Sequence, residues 1–223
     1  MITRLPRWVE YGAFVLALTA GCINAVGLLG FAHQAISHLS GTATLLGTGL
    51  MRGVFGESLH LAGILVSFLL GAALSGALLC GESLKLGRHY ETLLVIEGGL
   101  LLIAIPVLQA HHPAGQYIAS AACGLQNALV TTYSGAVVRT THLTGIFTDL
   151  GLMLGEAFRG RAFDRRKATL FLIIVSGFIA GGAMGAWLFA RLAFSSLAVP
   201  AVICLALAIS YRGYYQYRIG RQE

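Results

Sequence analysis

The stretch from Tyr11 to Met51 carries no Asp, Glu, Lys or Arg over 41 residues. As one continuous helix it would reach about 60 Å, roughly twice the hydrocarbon core of a bilayer. It has to turn, and the place is Ala32 to Gly41, where His33, Gln34, Ser37, His38 and Ser40 cluster. This gives a first span at about 9–31 and a polar-faced segment at about 37–53.

Composition extends the point to the whole chain. Of 223 residues, 57% are hydrophobic and 11% charged, with a mean hydropathy of +0.78. Soluble domains carry about 25% charged residues. The balance excludes a disordered chain, a nucleic-acid-binding domain and most soluble enzymes. The net charge of +6 sits on basic residues between apolar runs, the pattern of a polytopic membrane protein orienting itself. Further spans are expected at 59–81, 92–109, 117–138, 168–190 and 192–211. A second polar-faced segment covers 141–158, followed by the strongly basic loop 159–167. Aromatic residues fall near the expected span ends. The run ending Thr19-Ala20-Gly21-Cys22 resembles a lipoprotein signal peptide. Its length makes it a retained first span. The four cysteines (Cys22, Cys80, Cys123, Cys204) lie in apolar stretches without a CxxC pair and read as small buried hydrophobes.

The chain also resembles itself. SHLSGTATLLG at 37–47 and THLTGIFTDLG at 141–151 align at an offset of 104. Asn24-Ala25 is echoed by Asn127-Ala128. Ser67 and Gly76-Ala77 align with Ser176 and Gly185-Ala186 at an offset of 109. One membrane domain over 1–223 is expected, with halves at about 8–110 and 115–212. If the polar segments are re-entrant, each half has three spans and the second half is inverted. If they cross, there are eight spans in parallel halves. Six spans leave 13 of the 15 Lys and Arg inside, and eight spans leave 11. The positive-inside bias favours six, with both termini cytoplasmic. The expected fold is therefore all-α and polytopic, with about six transmembrane helices, two polar re-entrant or broken segments and an inverted internal repeat.

Irregular backbone at membrane depth persists only where protein buries it or water lines it. In each polar segment the Ser or Thr before Gly can cap a helix. Ser40, Thr44 and Thr48 then share a helical face, as do Thr144 and Thr148. Two half-helices would aim their positive ends at one midplane point, suiting an anion or a dipolar solute. The candidate solute-binding residues are His38, Ser40, Thr44, Asn24, Gln126 and Asn127 from these regions. Arg139, His142, Thr144 and Thr148 complete the set. Glu97 and Asp149 are ionisable groups within apolar surroundings and candidate coupling acids, with the two histidines as relays. Blander readings stand beside these. The hydroxyls can glue helices together, the amides can bond across helices, and Arg139 can pair with Asp149 or Glu97. Gly177, Gly181 and Gly185 form a ridge, as do Gly71 and Ser75, and both read as contact faces within the chain.

No GxGxxG, Walker loop, HExxH or GxSxG is present, so no enzyme, catalytic residue or cofactor is expected. His111-His112 is a lone pair in a turn, weak as a metal site, and no metal is expected.

CINAVGLLG followed by SHLSGTATLLG resembles the YoaK-type family of bacterial membrane proteins, a domain of unknown function. CGLQNALVTTYSGAVVRTTHLTGIFTDLG resembles its second hallmark, and the likeness covers nearly the whole chain. The sequence departs at Asn24 and Thr42, where many members carry Asp and Asn. The resemblance implies about six spans in a bacterial inner membrane and supplies no substrate. The expected function is a permease for a small polar or anionic solute, bound between the halves, with proton coupling as an option. The alternatives are a membrane-embedded binding or assembly protein and a passive channel. The expected partners are the solute, the lipid bilayer and a second copy of the chain, and no nucleic acid.

Overall fold

The computed structural model describes residues 7–30, 38–79, 89–133 and 140–219. All of the regular structure among them is helical. The helices are α1 (Arg7–Gly30), α2 (Leu39–Met51), α3 (Phe55–Leu78) and α4 (Tyr90–Gln109). Then follow α5 (Ala114–Tyr133), α6 (Leu143–Phe158), α7 (Arg165–Leu192) and α8 (Ala198–Ile219). A 3-10 turn, Ala193–Leu197, joins the last two, and Ala193 ends α7 with a φ of +47°.

Among the described residues, four stretches are long and apolar enough to cross a membrane: Glu10–Gly30, Phe55–Leu78, Tyr90–Gln109 and Arg165–Tyr214, which holds both α7 and α8. Their outward faces are oily. Leu59 is 76% exposed and Ile209 73% exposed, with Leu69, Leu70 and Ile179 similarly bare. A water-soluble protein does not show so much contiguous apolar surface. The chain is an all-helical membrane protein. The fourth expected span, 117–138, becomes α5, which has the length but not the hydropathy; its residues beyond Tyr133 lie outside those described. Gln116, Gln126, Asn127, Thr131 and Thr132 lower its hydropathy. α5 tolerates them because it packs against α3 and α4 and turns much of its surface to protein.

The buried side chains form two clusters, and together they give each helix a direction. The first holds Ala13 and Leu16 of α1, Leu93 of α4, Leu129 of α5, Leu170 of α7 and Ala208 of α8. The second holds Val26 of α1, Leu108 of α4, Ala119 of α5 and Ala201 of α8. Phe189 of α7 packs against that second cluster. So α1, α4 and α7 run from the first cluster to the second, and α5 and α8 run back. α3 also runs back, because Phe68 belongs to the second cluster while Leu78 packs against the first. α2 contributes Leu39 to the edge of the second cluster, and α6 contributes Ile146 to the first.

Small residues set the helix pairs. α1 packs along α7 and α3 along α5. A methyl group added at Gly21 would overlap the carbonyl of Phe178, and one at Gly124 that of Phe68. In the same way Gly181 abuts the carbonyl of Leu18, and Gly71 that of Ala121. In lipid there is little hydrophobic drive between helices, so such backbone approach supplies the dispersion contact instead. The Gly177, Gly181 and Gly185 ridge therefore faces α1, within the chain.

Candidate functional site

α2 and α6 both begin beside a histidine. His38 occupies the position before the first turn of α2, with φ −94° and ψ 67°. His142 does so for α6, with φ −94° and ψ 53°. The first backbone bonds run from Thr42 N to His38 O and from Ile146 N to His142 O, each 3.2 Å. This corrects the expected capping by Ser40 and Thr144. Each helix starts two residues earlier than that role requires, so both hydroxyls lie inside the first turn. Neither histidine side chain caps its helix. The leading N–H groups thus have no acceptor within the helix, the usual state of a helix start. The imidazoles instead lie over Gly41 and Gly145, three residues on.

A cavity of about 580 Å³ joins these two helix starts. His38 and Ser40 line it from α2, and His142 and Thr144 from α6. Asn127 and Thr131 of α5 complete its polar wall with Thr141, while Leu39 and Phe68 make its apolar wall. Asn127 keeps its amide oxygen enclosed without a hydrogen-bond partner. The size falls within the range of small-molecule sites.

Five of the expected residues are thereby brought together: His38, Ser40, Asn127, His142 and Thr144. Thr44 and Thr148 are not among the lining residues. Their hydroxyls donate to Ser40 O and Thr144 O, each at 2.9 Å, so the stripe bonds along its own helix. Gln126 is fully buried and ties α5 to α1, donating to Thr19 Oγ1 at 2.7 Å and to Leu16 O at 3.3 Å. That is a packing role, and Asn24 on α1 also stays out of the cavity wall. Arg139 lies outside the described residues. Asp149 pairs with Lys167 at 3.3 Å near the basic loop. The Asp149–Arg139 partnership weighed from sequence falls outside the described residues with Arg139.

Glu97 sits apart from the cavity, fully buried in α4. The thiol of Cys204 faces it as a weak donor and Cys123 is a further neighbour. Neither carboxyl oxygen reaches a hydrogen bond of ordinary geometry. Cys123 and Asn127 lie one helical turn apart on α5, so this core is one turn from the cavity wall.

A second, smaller cavity of about 240 Å³ lies at the far end of α4, with His60, His111, His112 and Gln116 in its wall. His60 bridges Tyr117 Oη and Gln116 Oε1, both at 2.8 Å. A carbonyl oxygen only accepts, so Nε2 carries the hydrogen and Nδ1 of the neutral ring accepts from Tyr117. Among the described residues no group of three or more His, Cys, Asp or Glu is placed to hold a metal.

Sequence reasoning missed Phe68, Leu39, Thr131 and Thr141 as cavity residues. Thr131 carried a signal, since it lies four residues after Asn127 and donates to its carbonyl at 2.7 Å. Phe68 carried none, because a phenylalanine in an apolar run looks the same whether it faces lipid or a cavity.

Fold and surface together define the class as an all-helical membrane protein. The chain belongs to the family described as protein of unknown function (DUF1275), whose model matches residues 12–210. The resemblance carried by the HLSG and HLTG segments pointed to that family. No curated protein and no solved structure matches the chain.

Proposed function

We propose that the protein is a permease for a small polar or anionic solute, bound in the cavity between the starts of α2 and α6. The observation that carries this reading is the meeting of His38 and Ser40 with His142 and Thr144 in one cavity. Two distant, similar sequence segments converge on a polar space inside an oily body, where polar lining is costly unless it serves a solute.

Duplication with inversion is part of the proposal. Its support is the equivalence of packing contacts: Gly21 against Phe178 matches Gly124 against Phe68, and Gly181 against Leu18 matches Gly71 against Ala121. These pairs relate α1 to α5 by 103 residues and α3 to α7 by 110, one more than the sequence alignment gave for the latter. Six crossings fit the helix directions. α1 and α3 run oppositely although only α2 lies between them, and so do α5 and α7 around α6. α2 has 13 residues and α6 has 16. Such helices span about 20 and 24 Å, short of a hydrocarbon core of about 30 Å. We read both as half-helices, α2 entering from one face and α6 from the other. Arg159, Arg161, Arg165, Arg166 and Lys167 all lie at the first-cluster end, which we assign to the cytoplasm of a bacterial inner membrane. Both termini then lie inside.

Alternating access follows by rocking of the two halves about the cavity. Glu97 is the proposed coupling acid, supported by its complete burial one turn from the wall. The Lys167 pair favours a structural role for Asp149. The test is uptake by proteoliposomes of a solute panel under proton, sodium and potassium gradients. The expected result is saturable uptake of one solute class, lost in His142→Ala. If no solute moves under any gradient, the permease reading fails and a binding or assembly role takes its place. Uptake without saturation makes the protein a channel.

A further inference from the structure

We infer that the cavity between α2 and α6 takes a small monocarboxylate, a carboxylate head on a short apolar body. This rests on the reading of that cavity as a solute site. The donors come in two matching sets. Each set has a half-helix start, a histidine beside it and a hydroxyl in the first turn: His38 with Ser40, and His142 with Thr144. The backbone angles of the two histidines agree within 14°. A ligand head with two equivalent oxygens matches this pairing of like donor sets. A carboxylate has that symmetry.

Charge sets the valence. No Asp, Glu, Lys or Arg is among the described lining residues. Each helix start is equivalent to roughly half a positive charge, so the two supply about one. That balances a monoanion and leaves a dianion half compensated. A cation would face two positive helix ends, and no carboxylate among the described lining residues offsets them. The rest of the wall fixes the body of the ligand. Leu39 and Phe68 give an apolar side for a short chain. Asn127 lies in the same wall and adds a polar group beside that body, suiting a hydroxyl on it.

The test uses the full chain purified in detergent and follows its thermal unfolding with sodium lactate and sodium butyrate. Lactamide, butyramide and butylammonium chloride serve as neutral and cationic isosteres, and sodium chloride matches ionic strength. The expected result is a saturable rise in Tm with lactate or butyrate and none with the isosteres. Apparent affinity should fall at least tenfold in His38→Ala and in His142→Ala, and stay unchanged in Arg161→Ala. If a histidine variant does not fold, Ser40→Ala and Thr144→Ala must each weaken the response. No response beyond chloride, or an amide as effective as its acid, overturns the inference. Counterflow of the same compounds in proteoliposomes separates the two readings. Saturable carboxylate binding without counterflow keeps the ligand class and removes the permease. Counterflow of a neutral or cationic solute without carboxylate binding keeps the permease and removes the ligand class.

Discussion

Gly181 of α7 lies so close to the carbonyl of Leu18 in α1 that a methyl group in its place would overlap that oxygen. Backbone cannot yield there as a flexible side chain can. Gly181→Ala should therefore cost about 1–3 kcal/mol, as overpacking does. Gly182→Ala, one position on, meets nothing within 4 Å and should stay within about 0.5 kcal/mol of the parent. Thermal unfolding of the two variants in detergent checks this. Equal Tm values would mean that the α1–α7 contact is looser than described.

Topology has a direct chemical readout. In a Cys80→Ser background the remaining cysteines, Cys22, Cys123 and Cys204, are buried. A single thiol at Arg52→Cys or Arg161→Cys can then be labelled with an impermeant maleimide in intact cells. Six crossings place the two positions on opposite faces, so Arg52→Cys labels and Arg161→Cys does not. Eight crossings put both in the cytoplasm, and neither would label.

The bridge from His60 to Tyr117 and Gln116 joins α3 to α5. Tyr117→Phe removes the donor to Nδ1 and should lower stability by about 1 kcal/mol, the typical net worth of one hydrogen bond. The double variant with His60→Leu should lose less than the sum of the single losses, since the two share one network. Additive losses in the unfolding measurements would count against the bridge.

Among the described residues Glu97 has no cation partner and no ordinary hydrogen bond to stabilise it, so its carboxyl burdens the fold. Glu97→Gln should keep or raise Tm, and Glu97→Leu should raise it, because apolar volume is well tolerated there. A fall in Tm for Glu97→Leu would reveal a partner that holds this carboxyl. If the proposed coupling role is right, the same variants remove the pH dependence of uptake while leaving the fold intact.

The membrane class, the polar segments and the matching of His38 with His142 were legible from the sequence. Their signals are local: a long charge-free run, hydroxyl and imidazole residues within apolar surroundings, and a recurring pattern. The α5 helix was legible in length but not in character, because hydropathy cannot tell lipid from a protein neighbour. The expected site was too broad for a related reason. Thr44 and Thr148 share a helical face with Ser40 and Thr144, yet their hydroxyls bond to their own backbone one turn back. Gln126 and Asn127 are adjacent amides, and the helix turn sends one to α1 and the other to the cavity.

Residue order alone marks this chain as a membrane protein, shows two polar stretches of similar sequence, and points to its family. Those properties follow from transfer free energy and residue pattern, which act along the chain. That the starts of α2 and α6, 104 residues apart, share one cavity, and that Glu97 and Asp149 lie elsewhere, came from the folded packing. The reason is that glycines such as Gly71 and Gly181 let particular helices come into backbone contact, and that choice of neighbours fixes which polar groups meet.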